Sequence, residues 1–329
     1  MPKSRNQLKL NIMANIQSKI KIYKFMLSRL GSSDSITNND FYSSVGDDIT
    51  DQNTIFGMLA NAYYESFNGQ FKKDQKGNRA ISISKKELIG YKSEQKIIHG
   101  FLNGGITNTE FKQFDIDNSS ESERAIERNK VLGQDYYFLV WLPENTNLGF
   151  VFLQYNDSVI RGITSAFFDH FDSFLKNYNF KISKQPYAPK EVIETYISHS
   201  TICEIEFIQH KMVDEKSPLI GEMVSYKLST KVGGINIPIL SYNSISSDML
   251  REIKAVIGIS DEADLSTMIS YKKGKTTRKA NIENNKLIPD IDIPENIIDE
   301  QITTTSIEKM FKFVNKYISM ANTEIGNLS

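Results

Sequence analysis

Residues 136–142 read Tyr-Tyr-Phe-Leu-Val-Trp-Leu, and after the turn Pro143–Asn147 a second apolar run follows, Leu148–Tyr155. A strand with one face in water alternates apolar and polar residues, so two uninterrupted runs of strand length are read as fully buried. The pair predicts a hairpin at the centre of a sheet. Directly after it, Ile160, Ile163, Phe167, Phe171 and Phe174 recur at three- and four-residue steps. That spacing predicts a helix, capped by Asp157 or Ser158, whose apolar stripe packs on the sheet.

The rest of the chain is read around this centre. Gln17–Leu30 alternates and predicts a strand, although a helix stays open. Gly31–Thr50 is rich in Ser, Asn and Asp and reads as a loop. Asp51 is a natural N-cap for a helix carrying Ile55, Leu59, Ala62 and Tyr63. Gln70–Lys73 and Arg79–Ser84 flank a glycine-containing turn and predict a hairpin. Lys96–Phe101 and Glu110–Phe114 suggest short strands, with Gly100-Phe-Leu-Asn-Gly-Gly105 read as a turn between them. Phe180–Ser183 predicts a strand, and Pro189 opens a helix over Lys190–Ser198. Strands are expected at 201–209, 222–230 and 235–240, and a short helix from Ser246 or Ser247 to Ile253. A ribbon is expected at about 265–283 and an extended stretch at 286–300. The terminal helix is expected to bury Ile307, Met310 or Phe311, Val314 and Ile318.

The order lacks regular βαβ alternation, which makes the fold class α+β, mostly antiparallel sheet with a few packing helices and a C-terminal helix. The acidic stretch 116–129 is read as a linker between an N-terminal part, 1–115, and a C-terminal part, 130–329.

Nothing in the chain announces catalysis. There is no phosphate-cradling glycine loop ending in Lys-Ser or Lys-Thr, and no Gly-x-Ser-x-Gly elbow. The four histidines, His99, His170, His199 and His210, are not paired at metal-binding spacing. No catalytic, cofactor-binding or metal-binding residue is therefore assigned, and no cofactor is expected. Asp169 and His170 diverge on a helix, which reads as a solvated rim. Glu204, Glu206 and Lys211 are the nearest imitation of a nuclease site, because residues two apart share a strand face. The single cysteine, Cys203, reads as a small buried hydrophobe. No run approaches the ~18 apolar residues of a membrane span, so membrane insertion is not expected and the cytoplasm is the default location.

With a net charge of −1 the chain as a whole does not attract a polyanion. Charge is placed locally instead. Lys272, Lys273, Lys275, Arg278 and Lys279 lie within eight residues around Gly274. The hairpin at 70–84 carries Lys72, Lys73, Lys76 and Arg79. A two-stranded ribbon fits the major groove of B-DNA, and cations at its tip neutralise phosphates. The competing reading is solubility, because lysines on edge strands prevent aggregation. Tyr271 could stack on a base or simply pack.

The order of elements, with the apolar pair Tyr136–Leu142 and Leu148–Tyr155, a helix, Phe180–Ser183, a helix, Ile202–Ile208 and the basic region Lys272–Lys279, resembles the DNA-binding A component of the lambdoid prophage Rex exclusion system over residues 55–285. That resemblance implies a cytoplasmic, homodimeric DNA-binding protein of antiviral defence, and carries no individual site residue across. Three expectations result: a nucleic-acid-binding protein, with duplex DNA as the first choice; a divergent metal-dependent nuclease; and a non-catalytic module that docks a protein partner.

Overall fold

The chain begins, in the computed structural model, with a long strand, β1 (Ser18–Arg29), followed by helices α1 (Asn38–Val45) and α2 (Gln52–Glu65). Next come β2 (Lys72–Lys73), β3 (Arg79–Ile83), β4 (Ile89–Lys92), β5 (Ile97–Ile106), β6 (Phe111–Gln113), β7 (Arg124–Ile126), β8 (Leu132–Trp141) and β9 (Leu148–Asn156). Helix α3 (Thr164–Lys176), β10 (Phe180–Tyr187) and α4 (Lys190–Ser198) lead to β11 (Thr201–Met212), β12 (Gly221–Ser229), β13 (Lys231–Val232) and β14 (Ile235–Asn236). The ribbon is β15 (Leu265–Lys273) and β16 (Thr276–Asn281), and the chain closes with β17 (Ile291–Asp292) and α5 (Thr304–Gly326). The residues described are 17–46, 48–83, 85–109, 111–113, 124–156, 162–212, 221–229, 231–232, 235–236, 251–252, 255, 258, 265–273, 276–281, 289–299 and 301–326. The expected strand residues 237–240 and residues 246–250 and 253 of the expected helix lie outside them, as do Asp157, Ser158 and Ile160, while Arg251 and Glu252 are helical as expected.

Two units divide the chain. One is Met1–Tyr187 with Asp290–Ser329, the other Ala188–Pro289. The expected boundary at 116–129 does not separate them. β5 before that stretch and β8 after it pair from Ile97↔Trp141 to Ile106↔Leu132, and a hydrogen-bonded ladder of that length cannot join two separate domains.

The larger unit holds a nine-stranded sheet in the order β10-β1-β9-β8-β5-β3-β2, with β17 on β1 and β4 on β5. Every pairing is antiparallel. β8 and β9 sit in the middle and are covered twice. Phe138, Val140, Val151 and Leu153 join the cluster that α1, α2 and α3 close with Phe41, Phe56, Tyr63, Phe167 and Phe171. Their alternate residues Tyr137, Leu139, Trp141, Phe150 and Phe152 are equally buried on the opposite face. There α5 lies over β5, with Phe311 4.9 Å from the His99 ring, and the Tyr187 hydroxyl donates to Glu324 at 2.6 Å. Each of these large side chains stabilises the fold by about 2 kcal/mol through its buried area.

Helix α3 packs against β10 at one end of the sheet order and against β2 and β3 at the other. One helix can touch both ends only because the sheet curls around it, as twisted antiparallel sheets do.

Three local readings change. Gly31–Thr50 contains α1, opened by a capping box: Thr37 Oγ1 accepts from the Asp40 amide at 3.0 Å and the Asp40 carboxylate accepts from the Thr37 amide at 3.3 Å. The glycines at 100–105 lie inside β5 and not in a turn. A β-carbon on Gly105 would sit 2.1 Å from the Leu132 carbonyl oxygen, so glycine is what lets β5 and β8 approach. Helix α3 starts at Thr164, with Ile163 in the N-cap position. As expected, Asp51 caps α2, its carboxylate accepting from the Asn53 and Thr54 amides.

Lys96 is the most deeply buried cation among the described residues, at 2% exposure, and holds three segments together. Its ammonium donates to Asn53 Oδ1 on α2 and to the Ser93 carbonyl, and lies 2.8 Å from Glu144 in the β8–β9 turn. In the smaller unit the sheet order is β12-β11-β15-β16, with Ile205, Phe207 and Ile269 buried. Cys203 sits where the β11–β15 register shifts and donates its thiol to the Ser270 carbonyl at 3.3 Å. No helix among the described residues is long and apolar enough to cross a membrane.

Candidate nucleic-acid interface

The basic ribbon forms as the sequence leads one to expect. β15 and β16 pair from Met268↔Asn281 to Lys273↔Thr276. Lys275 lies outside the described residues, and Lys272 is exposed. The register places Lys273 and Arg278 on one face with Tyr271, and Lys272 and Lys279 on the other. The cations are therefore divided between the two faces of a ribbon. Toward the root Glu204 accepts from the Ser270 hydroxyl at 3.3 Å, and Glu206 is buried opposite Lys227. Glu204 and Glu206 thus belong to the packing of this sheet. Among the described residues no three His, Cys, Asp or Glu side chains gather as a metal ion requires.

The second cationic hairpin belongs to the larger unit. Lys72 and Lys73 in β2 face Ile81 and Ala80 in β3, and Lys76 is exposed at the turn. Two carboxylates fasten this hairpin to α3. Asp74 accepts from the Asn78 and Arg79 amides and from the Ser165 hydroxyl at 2.8 Å. Burial alone would raise the Asp74 pKa, but these bonds and the Arg79 charge outweigh it and hold the carboxyl below its ordinary range. Asp169 accepts from the Gln75 amide at 2.9 Å.

The outer side of α3 is consequently the floor of a trough. The hairpin 71–79 walls it along its length, and β10 adds Lys184 at one end. Two concavities lie along it, and Asp169 lines both. One, of about 490 Å³, is lined by Phe71, Lys72, Lys73, Gln75, Lys176 and Asn177 among others. The second, of about 510 Å³, is lined by Arg79, Thr164, Ser165, Phe168 and Lys184. Lys184 reaches over the Phe168 ring at 4.1 Å, and desolvation there lowers its pKa from the ordinary lysine value. Lys176 pairs with Asp172 at 2.7 Å. Beyond that pair, Lys72, Lys73, Arg79 and Lys184 outnumber Asp74 and Asp169 among the described residues here, and both of those carboxylates already accept hydrogen bonds.

His170 lies beneath the first concavity. It is buried, with its ring 4.2 Å from Phe67 and Nε2 2.9 Å from the Ser66 hydroxyl. It therefore lies in the core and not on a solvated rim, because the α3 stripe at Phe167, Phe171 and Phe174 is wide enough to include position 170. Asp169 diverges from it as expected. The Ser66–His170 contact has the distance of a nucleophile–base pair but not the proton arrangement. The one hydroxyl proton of Ser66 goes to the Tyr63 carbonyl, so Nε2 must donate to Ser66 and cannot take its proton. Burial, aided by the Lys72 charge, lowers the His170 pKa to about 4 and keeps the ring neutral.

Lys72, Lys73 and Arg79 are thus brought beside α3 and Lys76 stays exposed at the turn, while the 272–279 ribbon belongs to the other unit. Sequence reasoning missed Phe71 and Lys184. The signals existed: an aromatic directly before Lys72-Lys73, and a second lysine three residues after Lys181 in a strand. Comparison of the chain with models of known protein families, with characterised proteins and with solved structures finds no match.

Proposed function

We propose that this protein binds nucleic acid, with double-stranded DNA as the ligand of the 272–279 ribbon. The observation that carries the reading is the pairing of β15 with β16 into a two-stranded ribbon whose register sets Lys273 and Arg278 on one face and Lys272 and Lys279 on the other. A ribbon of this kind enters a major groove about 12 Å wide. Cations on both faces then meet the phosphates on either side of the groove. The cation-lined trough of the larger unit supports the same reading from a separate place in the chain. The resemblance to Rex A components adds the proposed setting, a cytoplasmic recognition subunit of antiviral defence acting as a homodimer.

Fluorescence anisotropy with a labelled duplex between about 50 and 200 mM salt tests the proposal. The wild type should lose affinity steeply as salt rises. Replacing Lys272, Lys273, Lys275, Arg278 and Lys279 together by alanine should flatten the slope by up to about 4.5, at roughly 0.9 for each phosphate no longer neutralised. A wild type that ignores duplex DNA, or a variant that binds with unchanged affinity and slope, overturns it.

A further inference from the structure

Resting on the nucleic-acid-binding reading, we infer that the trough over α3 is a seat for single-stranded nucleic acid, with bases stacking on Phe71 and phosphates meeting Lys72, Lys73, Arg79 and Lys184.

The hairpin 71–79 and β10 both pack on α3.

The chemistry inside the trough favours a single strand. Phe71 is 44% exposed, the one phenylalanine among the exposed large hydrophobic side chains of the described residues. It lines the concavity beside Lys72 and Lys73. An exposed ring between cations is the arrangement that holds unpaired bases, because every base offers a π-face and every phosphate a charge. Bases in a duplex are stacked on each other and offer no face to Phe71. The second concavity continues the positive lining with Arg79 and Lys184 and adds the hydroxyls of Thr164 and Ser165. The carboxylates on the floor do not repel a strand at full strength. Asp169 accepts from Gln75, and Asp172 is paired with Lys176 and accepts from the Ile182 amide at 3.3 Å.

Anisotropy with a fluorescent oligothymidylate, an oligouridylate and a blunt duplex separates the two sites. Phe71→Ala changes no charge and removes an exposed ring, so it leaves folding intact. It should weaken both single strands about tenfold and leave the duplex unaffected. Lys72→Ala, Lys73→Ala and Lys184→Ala combined should lower the single-strand salt slope by about 2. The five-cation ribbon variant should lose the duplex and keep the single strands. The inference alone is overturned if the wild type binds the duplex but neither single strand, if both trough variants bind single strands as the wild type does, or if Phe71→Ala weakens duplex and single strand alike. Failure to bind any of the three nucleic acids overturns the functional reading with it.

Discussion

Mild acid should destabilise this protein well before its carboxylates titrate, because two histidines are buried in the neutral form. His99 lies on β5 under α5, 3% exposed, with Phe311 against its ring and the Tyr137 hydroxyl 3.4 Å from Nδ1. Burial, aided by the Lys92 charge, lowers its pKa from 6.5 to about 4. His170, 8% exposed among Tyr63 and Phe67, is lowered from 6.5 to about 4 by burial and then by Lys72. The unfolded chain takes up both protons near pH 6.5, while the folded chain refuses them until about pH 4. The unfolded state binds more protons throughout that window, so stability is full above 6.5 and is lost as pH falls toward 4. At about 1.4 kcal/mol per unit of pKa, each histidine costs about 3 kcal/mol once pH is below 4, and about 2 kcal/mol at pH 5. The two together remove about 4 kcal/mol between pH 7.5 and pH 5, a large share of the 5–15 kcal/mol typical of a folded protein. Asp51, Asp74 and Asp299 have pKa values held below 3.8, so their contribution is lost only at lower pH. Urea titrations followed by the fluorescence of Trp141, the single tryptophan and 5% exposed, measure the difference directly. His99→Leu with His170→Leu should flatten the pH dependence by most of that amount. A wild type that loses less than about 1 kcal/mol over the range would refute the reasoning. So would a double variant as pH-sensitive as the wild type.

Two further changes probe the sheet. Lys96→Met should cost about 2–4 kcal/mol in urea titrations, because Asn53 Oδ1 and the Ser93 carbonyl lose their charged donor and Glu144 its partner; a loss under about 0.5 kcal/mol would mean the buried ammonium is not holding those segments. Gly133→Ala places a β-carbon 2.5 Å from the Gly104 carbonyl oxygen. It should cost more than about 2 kcal/mol by forcing β5 and β8 apart, and unchanged thermal unfolding would count against that register.

What could be read from the sequence tracks how local the cause is. The central hairpin was legible because covering both strand faces leaves Tyr136–Leu142 and Leu148–Tyr155 without polar interruption. The terminal helix was legible because Ile307, Met310, Val314 and Ile318 repeat at helical spacing and are buried. Asp51 and Pro189 mark helix starts through chemistry confined to a few residues. Helix α1 escaped because its buried contacts reduce to Asn38, Phe41 and Tyr42, within a stretch of Ser, Asn and Asp that otherwise favours turns. Gly105 of β5 escaped because its reason is the carbonyl of Leu132, on a strand nearly thirty residues away.

By itself the sequence determined an antiparallel α+β molecule, its buried centre, and two hairpins loaded with cations, since each of these follows from residue periodicity or from charge within one short segment. Only the tertiary structure decided that the sheet curls until both of its ends reach α3, and that Phe71, Arg79 and Lys184 line concavities that share Asp169. It also placed His170 in the core beneath them. Those neighbours lie about a hundred residues apart, and long-range packing, which no local pattern encodes, brings them together.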